Sequence, residues 1–433
     1  MNRALVLDSQ KQPLMPCHPA RARALLKKGK AAVYRRYPFT IILKRTGGEV
    51  QPLELKSDPG SRVTGLALVA ECKRGPRIMW AANLKHRGLA VRLSLGKRSR
   101  ARRRRRTTNL RYREPRYHNR ARPSEWLPPS LRCRVDNVLS WAKRLMRFAP
   151  LSGIQVERVR FDTQKLVNPE ISGIEYQQGE LMGYEIKEYL LEKWGRNCVY
   201  CDAEGVPLQV EHIHPQSKGG SDRVSNLTVA CESCNRAKDK RDVRDFLAHD
   251  PDRLAKILAQ MKRPLSDAAA VNTTRYAIVR ALETLGLPVS CWTGGRTKFN
   301  RIKQGYPKDH WIDAACVGES GANVRIDDIK PLTITATGRG SRQMCRMNKY
   351  GFPRARAKGV KRIRDFQTGD LVRLEKLSGR YAGIHIGRLA GVRANGQFDI
   401  SVRLNGKRKN ISVSWKRKRF TLVQRADGYA YGG

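Results

Sequence analysis

The sequence predicts a multidomain α/β protein, and three observations carry that prediction. Residues 53–84 alternate in polarity and break into three short strand segments. Two cysteine pairs, Cys198/Cys201 and Cys231/Cys234, bracket a polar mid-chain loop rich in Glu, His and Gly. After Gly318 the pattern turns to short strands between turns rich in Gly, Asn and Lys. At 433 residues the chain has room for two or three domains, each with its own core.

In chain order, the first segment opens with a strand candidate (Ala4 to Leu7), the tetrapeptide Pro13-Leu14-Met15-Pro16, a basic helix (Ala20 to Lys30) and a strand at Thr40 to Leu43. Leu53/Leu55, then Thr64 to Val69, then Ile78 to Ala81 read as a three-stranded meander. An amphipathic helix follows over 131–147, with Leu131, Val135, Val138, Leu139, Ala142 and Leu145 on one face. The apolar run Ile154 to Val159 reads as a strand. Helices are expected at Leu181 to Trp194, Arg253 to Met261 and Ala268 to Leu285, and a strand at Pro288 to Trp292. The last hundred residues alternate at Leu371–Leu374, Ile384–Ile386, Phe398–Val402, Ile411–Val413 and Leu422–Val423, which predicts a small basic β-barrel-like module.

Lys and Arg number 87 against 38 acidic residues, a net charge of +49. Such a surplus repels itself unless a polyanion neutralises it. The sequence shows neither a bilayer-length apolar run nor a signal-peptide pattern, so the expected partner is nucleic acid and not a membrane. The cysteines outside the two pairs (Cys17, Cys72, Cys133, Cys291, Cys316, Cys345) are scattered, which argues against a disulfide framework. A reducing bacterial or archaeal cytosol or nucleoid is the expected location.

The most biased segment is Lys97 to Arg122. It carries Arg98, Arg100, the unbroken run Arg102, Arg103, Arg104, Arg105 and Arg106, and then Arg111 and Arg113. Arg propagates a helix well, and nothing breaks the pattern before Pro115. Cationic on every side, such a helix finds no place in a core and calls for phosphates around it. These arginines are the candidate nucleic-acid contacts.

Cys198, Cys201, Cys231 and Cys234 supply the four thiolates of a tetrahedral structural zinc. The interval 202–230 is longer than a zinc-ribbon loop. It contains Glu211-His212-Ile213-His214-Pro215, Gly219-Gly220-Ser221-Asp222 and Asn226-Leu227, with Asn235-Arg236-Ala237-Lys238 after the last cysteine. Phosphodiester hydrolysis needs a base to activate water and a cation to neutralise developing charge. His212 is the candidate base, and Glu211 and Asn235 offer hard oxygen ligands suited to magnesium. This order resembles the HNH, or ββα-metal, nuclease motif. By that resemblance Asn226 braces the loop so that the histidine is oriented, and His214 is a spectator.

Three further carboxylates are dispersed: Asp58 before a Pro-Gly turn, Glu157 inside an apolar strand, and Asp313 three residues after His310, on one helix face with it. With the HNH insert and the arginine helix set aside, their order resembles the split RuvC nuclease, an RNase H-like fold. There Asp58, Glu157 and Asp313 would bind two magnesium ions and His310 would help deprotonate the attacking water. The whole arrangement resembles the IscB family of transposon-encoded, RNA-guided nucleases related to CRISPR type II effectors. Pro13-Leu14-Met15-Pro16, Asp58-Pro59-Gly60-Ser61, Glu157 to Asp162 and His310 to Ala315 match that family's motifs.

The resemblance divides the chain into an N-terminal module (1–50), RuvC part I (51–95), an arginine-rich bridge helix (96–124) and RuvC part II (125–180). An HNH domain with structural zinc (181–250), RuvC part III (251–325) and a basic β-rich module contacting RNA and target-adjacent DNA (326–433) follow. It implies a partner omega guide RNA, a double-stranded DNA target with an adjacent motif, one protein copy per RNA, one magnesium ion in HNH and two in RuvC. HNH would cut the guide-paired strand and RuvC the displaced one. Two other readings are weighed against it. An unguided junction-resolving or homing-type nuclease would need only one centre, and an RNA-binding scaffold with dead sites would not fill every catalytic position.

Overall fold

The computed structural model describes residues 2–48, 50–107, 123, 125–158, 187, 190–191, 193–261, 266–326, 329–338, 348, 352, 354, 359–404, 407–415 and 419–432. The chain divides into two compact units. Unit 1 comprises Met1–Glu157, Ala277–Gln304 and Lys308–Gly433; unit 2 comprises Arg158–Tyr276 and Gly305–Pro307.

Unit 1 opens with β1 (Ala4–Leu7), β2 (Pro13–Cys17), β3 (Ala31–Arg35) and β4 (Thr40–Leu43), a sheet ordered β2-β1-β4-β3. The Pro-Leu-Met-Pro tetrapeptide is thus strand β2, and β3 is a strand the sequence pattern hides because three of its five side chains are exposed. The helix Pro19–Lys27 between them starts where the His18 side chain accepts the Ala20 N–H, with Pro19 in the first turn.

Then come β5 (Leu53–Pro59), β6 (Val63–Ala70) and β7 (Arg77–Lys85), the expected antiparallel meander. β8 (Leu151–Glu157) returns parallel to β5. The next strands in the chain, β9 (Leu208–His212) and β10 (Leu227–Cys231), belong to unit 2. Back in unit 1, β11 (Val289–Trp292) pairs parallel with β8, and β12 (Leu332–Ala336) pairs parallel with β7. Strands β13 (Leu371–Lys376), β14 (Gly383–Val392), β15 (Gln397–Leu404), β16 (Lys407–Ser414) and β17 (Phe420–Gln424) follow, and β18 (Tyr429–Gly432) closes the series. Among the described residues the large sheet has seven strands in the order β11-β8-β5-β6-β7-β12-β18.

Alternation along the strands gives this sheet two faces. Leu53 and Leu55 of β5 and Ile154 and Val156 of β8 point into the core. There they meet Val135, Val138, Trp141, Ala142 and Leu145 of the helix Pro129–Met146 and Ile278 and Leu282 of the helix Ser266–Glu283. Glu54, Lys56 and Asp58 of β5 and Gln155 and Glu157 of β8 fall in the opposite register, so the other face is polar at its centre. The short helix His310–Ala315 lies on it, against β5 and β6. Gly65 makes that approach possible, because a Cβ there would come within 1.8 Å of the His310 carbonyl oxygen.

Three boundaries differ from the sequence reading. The arginine helix spans Gly88–Thr107 and so starts well before residue 96; Gly88 lies under Ser130 of the neighbouring helix, where a Cβ would be 2.8 Å from its carbonyl oxygen. The helix Pro251–Met261, assigned by sequence to the third RuvC part, closes the core of unit 2. Its apolar face (Leu254, Ile257, Leu258, Met261) packs on the cluster containing Val229 and Leu247. The C-terminal module does not take in all of 326–433, since β12 and β18 pair with each other and extend the large sheet from β7. What remains of it is a five-stranded antiparallel sheet ordered β16-β15-β14-β13-β17, packed around Phe366, Phe398 and Phe420. Among the described residues its edge strands β16 and β17 show no mutual pairing that would close a barrel.

Candidate functional site

In unit 1 the strand register assembles the dispersed carboxylates. Ser57 pairs with Val156 across parallel β5 and β8, which sets Asp58 beside Glu157 at the same end of neighbouring strands. The polar-face helix brings His310 and Asp313 over them. His310 Nδ1 is 3.3 Å from Asp58 Oδ2. Asp313, 3% exposed, faces two cations: Arg301 Nε at 2.8 Å and Lys308 Nζ at 2.5 Å. Burial, and then the neighbouring charges of Asp58 and Asp313, push the Glu157 carboxyl well above its ordinary range. Burial likewise raises Asp313, against the pull of Lys308 and Arg301. Glu157 and Asp313, both held above their ordinary range beside the Asp58 carboxylate, form with it a donor set that a divalent cation relieves. The gathering is looser than that of the thiols described below. Among the described residues, the four cysteines are the acidic or metal-ligating group whose donor atoms all lie within 4.8 Å of one another.

Sequence reasoning missed the residues that hold this centre. Arg134, 2% exposed, donates from Nε to the Gly60 carbonyl at 2.8 Å and from its Nη2 to the Pro59 carbonyl, which fixes the turn after Asp58. Burial lowers its pKa to about 10, with Asp58 acting in the other direction. Its signal was in the sequence: a charge three residues after Leu131 and four before Val138, on the apolar stripe. Nearby, His86 Nε2 meets Thr64 Oγ1 at 2.8 Å and Nδ1 meets Asn137 Nδ2 at 3.4 Å, a pattern that suits the neutral ring. Burial, reinforced by Arg134 and His310, depresses its pKa to about 3. Beside the acids, Lys56 is buried with Nζ 2.7 Å from the Val317 carbonyl, and burial brings its pKa to about 8.

Unit 2 presents the ββα element expected from its spacing. Antiparallel β9 and β10 carry Glu211 and His212, and the helix Glu232–Lys238 carries Asn235. The four cysteine sulfurs lie within 4.8 Å of one another, with Cys201 and Cys231 3.7 Å apart. Four ligands at the usual zinc–sulfur length of about 2.3 Å stand roughly 3.8 Å from each other, so these thiols fit zinc. A hydrogen bond with the Ser233 hydroxyl leads the causes that bring the Cys231 thiol down to about 6, while burial leads those that raise its neighbour Cys234.

Glu211, His212, Asn235, Gln216 and Lys240 line a cleft of about 430 Å³. Lys238, fully buried, donates to Glu211 Oε1 at 2.6 Å and to the His212 carbonyl at 2.7 Å. Asn235 Nδ2 donates to Gln209 Oε1 at 2.7 Å. Glu211 and Asn235 thus bring a carboxylate and an amide, hard donors for a cation such as magnesium. Asn226 accepts the His214 N–H at 2.8 Å and donates to the carbonyls of His214 and Ser221. His214, a spectator in the sequence reading, is a strut. Its Nδ1 bonds Asp242 at 2.6 Å and its Nε2 bonds the Lys218 carbonyl at 2.9 Å. Both partners are acceptors, so both nitrogens donate, and Asp242 raises the pKa of the ring.

The arginine helix exposes Arg98, Arg100, Arg102, Arg103 and Arg104. The backbone of Arg105 and Arg106 completes it, while Arg111 and Arg113 lie outside the described residues.

Residues 198–241 match the family described as HNH endonuclease, and residues 4–179 match the family described as RRXRR protein. The ββα element of unit 2 is therefore an HNH endonuclease domain. No curated protein matches the chain. Among solved structures, the type II-C Cas9 enzyme from Actinomyces naeslundii aligns over 45% of this chain and 26% of its own, at 17% identity and a TM-score of 0.15. Streptococcus thermophilus Cas9 in complex with the GGAA PAM aligns over 59% of this chain and 31% of its own, at 12% identity and a TM-score of 0.21. The chain spans less than a third of the length of these structures.

Proposed function

We propose that this protein is an RNA-guided, metal-dependent DNA endonuclease of the IscB kind, with two centres that each cut one strand. The observation that carries the reading is the coexistence of two unlike hydrolytic constellations in one strongly basic chain. One is the HNH element of unit 2; the other is the Asp58/Glu157/Asp313 group of unit 1. The strand order β11-β8-β5-β6-β7, with β5 to β7 antiparallel and β8 and β11 parallel to β5, is the order an RNase H-like core requires. That supports a split RuvC assignment for the carboxylate centre.

In unit 2, His212 is the base that takes a proton from water, and Glu211 and Asn235 hold a magnesium ion. In unit 1, Asp58, Glu157 and Asp313 hold two magnesium ions while His310, beside Asp58, assists deprotonation. Bound cations supply charge neutralisation on the attacking and leaving oxygens. Cys198, Cys201, Cys231 and Cys234 hold a structural zinc. Arg98 to Arg106 supply the backbone contacts for an RNA–DNA duplex, whose sequence the guide reads and the protein does not.

Strand-specific nicking tests the reading. Asp58→Ala is expected to leave only the cut in the guide-paired strand, and His212→Ala only the cut in the displaced strand, each lost cut falling at least about 10³-fold. Sequencing the RNA that co-purifies with the protein tests guidance. A discrete RNA with a constant scaffold and a variable segment is expected; its absence would favour an unguided nuclease.

A further inference from the structure

The base of the HNH centre has a partner that the motif does not name. His212 Nε2 lies 2.7 Å from Asp222 Oδ1. Asp222 comes from the glycine-rich loop between β9 and β10. Several contacts hold that loop. Asn226 Nδ2 donates to the carbonyl of Ser221, the residue just before Asp222. Gln216 Nε2 donates to Asp222 Oδ1 at 2.6 Å. His214 spans Asp242 and the Lys218 carbonyl. Gly219 sits at φ +87°, where a side chain would strain the backbone, and a Cβ on Gly220 would come within 1.9 Å of the His214 carbonyl oxygen.

We infer that Asp222 is the positioning residue of the His212 base. It fixes the ring in the tautomer with its proton on Nε2, so that Nδ1 is the nitrogen that takes the proton from water. An ionised carboxylate only accepts, so the nitrogen facing it carries the hydrogen and the other holds the lone pair. The loop then acts in a chain: Asn226 holds Ser221, Ser221 places Asp222, and Asp222 orients His212. This gives the bracing role of Asn226 a definite route to the ring. As the ring takes up the water's proton at Nδ1, the Asp222 carboxylate faces the imidazolium at the other nitrogen and stabilises it. The proton stays on the ring, without passing to Asp222, until it leaves to solvent or to the departing oxygen.

The inference rests on the HNH reading, and its test separates the two. Full-length protein labelled with ¹⁵N-histidine reports the tautomer of His212 by two-bond ¹H–¹⁵N correlation, with His212→Ala assigning the signal. The Nε2–H form is expected in the unaltered chain. Asp222→Ala should bring a mixture of tautomers, and Asp222→Asn, which keeps an accepting oxygen, should restore most of the Nε2–H form.

In parallel, single-turnover nicking is followed on a plasmid carrying the sequence complementary to the co-purified RNA. Asp222→Ala is expected to slow the His212-dependent cut about 10- to 100-fold, with plasmid affinity and zinc content within twofold and the other strand's cut unchanged. Asp222→Asn should lie between. A proton on Nδ1 of His212 in the unaltered chain overturns the inference, and so does a full-rate Asp222→Ala. If His212→Ala itself still cuts both strands, the HNH reading fails, whatever Asp222 does.

Discussion

The two candidate centres are held together by opposite means. In unit 2 every candidate residue falls within 198–242, and the clamp is local: four thiols, one hairpin and a short helix around a small core. In unit 1 the acids are separated by most of the chain and meet only because parallel β5 and β8 set two of them side by side while a helix lays the third on top. A local centre stands or falls with its cross-link. A distributed one depends on register and on buried polar clamps, and its failure is graded.

The largest effect belongs to the zinc proposed for Cys198, Cys201, Cys231 and Cys234. A structural zinc contributes on the order of 10 kcal/mol to a small domain. Cys231→Ala, or a strong chelator, should abolish the unfolding transition of unit 2 and leave that of unit 1 in place by calorimetry. A single shared transition, shifted as a whole, would show that the two units do not melt separately. Next is Arg134→Leu, which strips the Pro59 and Gly60 carbonyls of their donor. The expected cost to unit 1 is about 2–5 kcal/mol, read as a lower melting temperature with the HNH cut retained.

Acid sharpens the contrast, because the two units carry histidines of opposite sign. His86 in unit 1 has its pKa depressed from 6.5 to about 3. Its contribution is complete above 6.5 and is lost as pH falls toward 3, by up to about 1.4 kcal/mol per pH unit. His214 in unit 2 has its pKa raised by Asp242. Its contribution is complete below 6.5 and fades as pH rises through the folded value. Denaturant melts of each unit between pH 5 and 8 should therefore slope in opposite directions, and His86→Phe should flatten the slope of unit 1.

The smallest effect concerns Lys308, whose ammonium meets Asp313 where a divalent ion would find its ligand. Lys308→Met should tighten manganese binding at the carboxylate centre several-fold to roughly tenfold. Calorimetric titration in a Glu211→Gln background would detect it, and an unchanged affinity would mean that the lysine does not compete.

The same division decides what the sequence could disclose. The HNH element was legible because its motif lies in a short stretch, and the resemblance it carries implies the hairpin and helix that bring Glu211, His212 and Asn235 together. The meander and β8 were legible from alternation, whereas Asp58, Glu157 and Asp313 were readable only as a constellation resembling split RuvC, since a single carboxylate at a strand end is common. Invisible were the residues whose role exists only through long-range contact: Arg134 under the Pro59-Gly60 turn, and Arg301 and Lys308 on Asp313. Lys238 on Glu211 escaped for another reason, since a lysine on a short basic helix ordinarily faces solvent. The strand β3 was missed because its exposed residues break the apolar signal, and β12 and β18 because a strand's sheet partner is not written in its own pattern.

The parallel pairing of β8 with β11 has an architectural consequence. Two parallel neighbours need a crossover between them, and the sheet asks of that crossover only that it bring the chain back to the proper edge. Closing a longer loop adds only about 0.6 kcal/mol for each doubling of its length. The part of the step between Glu157 and Ala277, ahead of the helix turns whose Ile278 and Leu282 pack in the core of unit 1, thus works as a socket. An entire independently cored nuclease domain fits into it at little thermodynamic penalty, and a different cargo, or a short helical plug, would leave the seven-stranded sheet and its three acids standing.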